Sequence, residues 1–158
     1  MPIYMKYGDI KGDVTAEGHK DWIELNSFQW GVGRGISSPT GASADRESSA
    51  PSISEITVSK MQDVATTKLL DEALQGDGTE VTINFLKTDG KKLEVYMSYK
   101  LENTMVSGYS ISAGGDRPAE TLSLNFTKIE FKSVQMDKSN KGSTSSSVIY
   151  DLAGAKVG

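Results

Sequence analysis

The chain has no cysteine and a single histidine, His19, in 158 residues. Disulfides, thiolate metal sites and a cysteine nucleophile are thereby excluded, and so is any centre built on two imidazoles. Long apolar runs are missing too: nothing approaches the ~18 consecutive apolar residues of a membrane-spanning helix. Positive charge is not in excess. Lys plus Arg is 17 and Asp plus Glu is 21, a net charge of −4. Such a chain has no surplus of cations to neutralise phosphates, which argues against nucleic acid as a partner. The start, Met1-Pro2-Ile3-Tyr4-Met5-Lys6, has no basic region followed by an apolar run. It predicts folding in the cytoplasm and export, if any, without a cleaved signal peptide.

What is present describes one packed domain over residues 1–158, since 37% apolar residues and 16 glycines are ordinary proportions for a globular core. The dominant period is two. Val81, Ile83 and Phe85 alternate with Thr82 and Asn84, and Leu93, Val95, Met97, Tyr99 and Leu101 repeat the pattern. Asp89-Gly90 between them supplies a tight hairpin turn. Further strands are expected at Ile3 to Tyr7, Trp22 to Leu25, Phe28 to Val32, Ile53 to Ser59, Met105 to Ser112, Glu120 to Val134 and Ser147 to Leu152. Within Glu120 to Val134 the apolar parity changes between Phe126 and Ile129, which predicts a β-bulge near Thr127 and Lys128.

One segment has helical period. Asp63 is placed to cap Val64 to Gln75, Gly76 to end it, and Leu70, Ala73 and Leu74 to form its apolar stripe. The fold class is therefore mainly β: two antiparallel sheets forming a barrel or sandwich, one short helix alongside, and a long extended loop. That loop, Gly35 to Ser52, is rich in Ser, Ala, Gly and Pro and has no period; loops of such length are usually functional or disordered. Asn140 to Ser146 reads as a second soft connection.

Candidate chemistry is thin. Trp30-Gly31-Val32-Gly33-Arg34-Gly35 is glycine-rich, but no helix N-terminus follows to hold a phosphate. His19, beside Glu17, Lys20 and Asp21, reads as a solvated loop residue, and nothing pairs it with a serine. Asp9, Asp13 and Asp77 lie in turns that lack calcium-loop spacing. Arg117, in Asp116-Arg117-Pro118, is either an exposed surface arginine or a partner for a carboxylate of another chain. Trp22 and Trp30 read as packing residues. No catalytic, cofactor or metal constellation survives, so the chain is expected not to be an enzyme. Few charges interrupt Phe28 to Val32 or Thr121 to Phe126, and open sheet edges of this kind serve association. A small-ligand-binding barrel is the other reading that composition allows.

Several segments, taken in order, resemble the haemolysin-coregulated protein (Hcp) family, which forms the inner tube of the bacterial type VI secretion system. They are Gly8-Asp9-Ile10-Lys11-Gly12, Trp22-Ile23-Glu24-Leu25, Ser27-Phe28-Gln29-Trp30-Gly31, Pro51-Ser52-Ile53-Ser54-Glu55-Ile56 and Lys68-Leu69-Leu70. The most specific is Gly114-Gly115-Asp116-Arg117-Pro118 followed by Leu122-Ser123-Leu124-Asn125-Phe126-Thr127-Lys128-Ile129-Glu130. The resemblance implies a homohexameric ring, rings stacked into a hollow tube within a contractile sheath behind a spike, secretion from the cell, and a lumen able to carry small effector proteins. No cofactor, nucleic-acid partner or membrane insertion is expected. A phage-type tail tube protein shares this architecture. With its last residue at Gly158, the sequence does not resemble forms fused to a toxin domain.

A closed ring repeats one heterologous interface, so each subunit must offer two different complementary surfaces. By resemblance the long loop projects along the tube, which makes Ser38, Thr40, Asp45, Arg46 and Glu47 the candidate ring-stacking residues. With Phe28, Trp30 and Val32 facing the core, Gln29 and Gly31 face away, and Gln29 is the candidate lumen residue. Arg117 is the candidate subunit-interface residue.

Overall fold

The computed structural model describes residues 1–37, 47–136 and 142–158. The side chains of residues 47, 48, 135, 136 and 142–145 also lie outside the description. In chain order the elements are β1 (Ile3–Tyr7), β2 (Ile23–Leu25), β3 (Ser27–Gln29), β4 (Val32–Gly33), β5 (Ile36–Ser37), β6 (Glu47–Ser48), β7 (Ser52–Ile53), β8 (Ile56–Met61), α1 (Thr66–Gln75), β9 (Thr79–Asp89), β10 (Lys92–Ser112), β11 (Ala119–Asn125), β12 (Lys128–Met136), β13 (Gly142–Asp151) and β14 (Lys156–Val157).

Ten strands fold into two antiparallel sheets that share β10. The first sheet runs β14-β13-β12-β10-β9-β1-β2, and the second runs β10-β11-β8-β3. Three crossings join them. The chain passes from β2 to β3 at Asn26, whose N–H donates to Ser59 O at 2.7 Å. It passes along β10 at Asn103, which has φ +53. It returns between β11 and β12 at Phe126-Thr127.

The parity change in Glu120 to Val134 is therefore not a bulge within one strand. Leu122 and Leu124 face the core from the second sheet, and Ile129 faces it from the first. The expected strands at Leu93–Leu101 and Met105–Ser112 are continuous, because the irregularity between Leu101 and Thr104 shifts the register without ending the strand. The β9–β10 hairpin closes at Gly90 (φ +61), as its Asp-Gly signal predicts. The expected soft connection at Asn140 to Ser146 is strand from Gly142 onward.

Burial of Met5, Tyr7, Ile23, Leu25, Ile56, Val58, Val81, Ile83, Leu101, Leu122 and Leu124 builds the core between the sheets. Phe28, Phe85, Tyr99 and Phe131 form an aromatic chain within it, with ring centroids 4.7–6.0 Å apart. Phe28 and Trp30 pack towards this core, but Val32 is half exposed because β3 ends at Gln29 and Val32 belongs to a separate ladder with Ile53.

The apolar stripe of α1 differs from the expected one. Leu70 and Leu74 point outward, and Ala65, Leu69 and Ala73, spaced by four, face the core. Asp63 acts one turn before the helix: its Oδ1 accepts the Ala65 N–H at 2.9 Å, and its own N–H donates to Thr66 Oγ1 at 3.1 Å. Gly76 ends the helix without a left-handed φ. A Cβ there would press on Glu72 O, so close approach explains the glycine.

Candidate assembly surfaces

The outward face of the second sheet is built from the polar parity of four strands. Ser27, Ser59, Thr121 and Ser110 stand in one cross-strand row. Gln29, Thr57, Ser123 and Gly108 form the next. Met61, Ala119 and Ser112 extend the face at one end, and Asn125 and Met105 at the other. None of these residues is charged. At the Asn125 end the face is bordered by Glu55, which accepts the Asn125 side-chain amide at 3.1 Å. The face offers hydroxyls and amides, with Ser27 and Ser59 already bonded to each other.

The first sheet is the electrostatic opposite. On its outward side Lys100 lies opposite Glu130, and Lys128 lies between Glu102 and Asp151. Lys100 also reaches Glu80 at 3.7 Å.

The second sheet has two open edges among the described residues. β3 pairs only with β8, and the Met105–Ser112 half of β10 pairs only with β11. Beside that half of β10 sits α1, tied down by a buried polar cluster. Lys60 Nζ lies 2.5 Å from Glu120 Oε2 and 2.9 Å from Asp63 Oδ1, and it donates to Met61 O at 2.9 Å. Glu120 also accepts from Thr66 Oγ1 at 2.8 Å and from the Tyr109 hydroxyl. Burial pushes the Glu120 carboxyl up, but the hydrogen bonds from Lys60, Tyr109 and Thr66 and the Lys60 charge outweigh it, so its pKa is lowered. Desolvation, the Glu120 hydrogen bond and the Glu120 charge push the Tyr109 hydroxyl up.

An apolar groove of about 220 Å³ opens between Trp30, Val32 and Ile53 on one side and Phe131, Val148, Tyr150 and Val157 on the other.

The predicted positions fare as follows. Gln29 is exposed on the uncharged face, as its parity requires. Arg117 pairs within its own chain, 3.7 Å from Asp13, with both side chains about half exposed. Ser38, Thr40, Asp45 and Arg46 lie outside the described residues. Glu47 is in β6, and its side chain is likewise undescribed. Part of the long loop is regular: β5–β6 is a short ladder within it, and β4–β7 pairs Gly33 and Val32 with Ser52 and Ile53 at its base.

His19 is not a solvated loop residue. It is 9% exposed, lies 4.5 Å from the Trp22 ring, and bonds through Nε2 to the Asn84 amide at 3.1 Å. The Lys60–Glu120 cluster and the hydroxyl rows are the features that strand patterning missed. Each row member stands on the polar parity of an expected strand, but only the pairing order shows that they share a face.

The sequence profile described as "Type VI secretion system effector, Hcp" matches residues 4–132. The chain belongs to the Hcp family. Among solved structures, a type six secretion system protein shares the fold with a TM-score of 0.90 and 26% identity, covering 99% of each chain. An Hcp1 from Salmonella typhimurium matches with a TM-score of 0.76 at 21% identity, covering 99% of this chain and 97% of that one. A type VI secretion system effector from Yersinia pestis matches with a TM-score of 0.71 at 21% identity, covering 94% and 98%. Among curated proteins, none matches in sequence. Two sheets sharing a long strand, with one helix alongside, are thus the Hcp fold.

Proposed function

We propose that this Hcp chain is a structural subunit of the type VI secretion inner tube, with six copies closing a ring around a lumen. The observation that carries the reading is the uncharged face of the second sheet, bounded on both sides by open strand edges. Joining β3 of one copy to the free half of β10 in the next repeats one heterologous contact and closes by rotation. The hydroxyl rows and Gln29 then line the channel. Such a wall suits a conduit that must release what it carries, because neutral surface hydrogen bonds are individually weak in water.

The long loop is the arm that stacks ring on ring, through Ser38, Thr40, Asp45, Arg46 and Glu47. Exposed Arg117 stands at the subunit boundary. Spike, contractile sheath and small effector proteins are the partners. Assembly takes place in the cytoplasm, and the tube is secreted. The role is structural rather than enzymatic. Of the alternatives, the phage-type tail tube shares the architecture but not the secretion-system match. A ligand-binding barrel is disfavoured by an interior filled with Met5, Tyr7, Phe85 and Tyr99.

Negative-stain imaging and light scattering of the purified chain test the reading. Annular particles of several subunits are expected. A strict monomer at high concentration overturns it.

A further inference from the structure

Two apolar features of the subunit have no partner among the described residues. The first is the groove beside Trp30, where Val32, Val148 and Val157 are all more than half exposed. The Trp30 Nε1–H is buried there without an acceptor among the described residues. The second is a ridge on α1. Leu70 and Leu74, one turn apart, are 40% and 77% exposed, on a face turned away from buried Leu69.

Strand direction relates the two. Within the second sheet β10, β11, β8 and β3 alternate in direction. When the open edges of two copies meet, β3 of one therefore runs antiparallel to β10 of the next. Going from Ser27 through Gln29 to Trp30 and Val32 then corresponds to going back along β10 from Ser110 through Gly108 to Asn103. At Asn103 the C-terminal end of α1 is anchored, because the Gly78 backbone packs against the Asn103 side chain and Thr79 pairs with Thr104. The neighbour's Leu74 end thus arrives at the level of Trp30 and Val32.

We infer that the Leu70–Leu74 ridge of one copy fills the Trp30 groove of its neighbour, and so sets the angle at which the ring closes. The inference rests on the ring reading and adds a specific contact to it. Burying this ridge removes exposed apolar surface from both partners, which the edge hydrogen bonds alone do not.

The cysteine-free sequence allows a direct test. Leu74→Cys is combined with Val148→Cys in one protein and with Val32→Cys in another, and assembled material is oxidised and run on a non-reducing denaturing gel. A ladder of covalent multimers from either protein is expected. Rings by negative stain with only monomers on both gels overturn the contact and leave the ring reading standing. Absence of rings from the unmodified chain overturns both. Leu74→Glu is the second variant. A folded subunit that no longer closes rings is expected, and intact rings overturn the inference.

Discussion

Lys60 Nζ sits 2.5 Å from Glu120 Oε2, with both side chains fully buried. Asp63 lies 2.9 Å from the same ammonium. One cation therefore serves two carboxylates, and substitutions on the two sides of the pair should differ. Lys60→Met leaves two buried carboxylates with no counter-charge and should destabilise by about 3–5 kcal/mol. Glu120→Gln leaves Lys60 paired with Asp63 and should cost about 1–3 kcal/mol. Equal losses in chemical denaturation would mean that Asp63 does not share the charge.

The same cluster sets the acid limb of stability. The Glu120 pKa is lowered in the folded state. Its contribution is therefore complete above the unfolded carboxyl pKa of about 4.3 and is lost as pH falls through the lower folded value. The alkaline limb has the opposite origin. Desolvation, helped by the charge of Glu72, raises the Tyr7 hydroxyl to about 12. Its contribution is complete below pH ~10 and is lost as pH rises towards the folded pKa. Denaturation midpoints across pH should fall at both ends. Glu120→Gln should flatten the acid fall, and Tyr7→Phe the alkaline one.

Helix α1 offers a paired comparison. Leu69 is fully buried, so Leu69→Ala should cost about 2–5 kcal/mol in the dissociated subunit. Leu74→Ala should change the same measurement by no more than about 0.5 kcal/mol. Similar losses for both would mean that the helix presents a different face to the core.

Gln29→Arg places a cation on the uncharged face. Rings should persist by negative stain, while retention of a co-expressed effector falls. Loss of the rings themselves would place Gln29 in a subunit contact instead of the channel wall.

Deleting Thr40 to Ser49 removes β6 but spares β4, β5 and β7. Rings should survive and stacking should weaken, as seen in the lengths of tubes under the microscope. Unchanged tube lengths would remove the arm's assigned role.

Local signals were legible where one residue type has one physical use. Asp89-Gly90 marks its hairpin, and the alternation of Ile3 to Tyr7 matches β1 end for end. Legibility failed where the answer depends on a distant partner. Leu69 and Leu70 sit side by side, and helical period alone cannot say which faces inward. Ala65 and Ala73 decide it, because small residues on either side let the helix approach β10. Nothing local marks Glu120 as buried; only the pairing of β8 with β11 puts Lys60, sixty residues away, beside it. Gln29 was legible for a simpler reason: its neighbour Phe28 is drawn into the aromatic core, and alternation turns Gln29 outward.

β10 runs unbroken for 21 residues through both sheets. Load passing from one sheet to the other therefore has a continuous covalent path along β10, beside the passages at Asn26 and Phe126-Thr127. A ladder pulled along its length resists with many hydrogen bonds strained at once, whereas one peeled from its end yields them singly. A subunit threaded by such a strand can tolerate a sudden thrust without needing unusual thermodynamic stability.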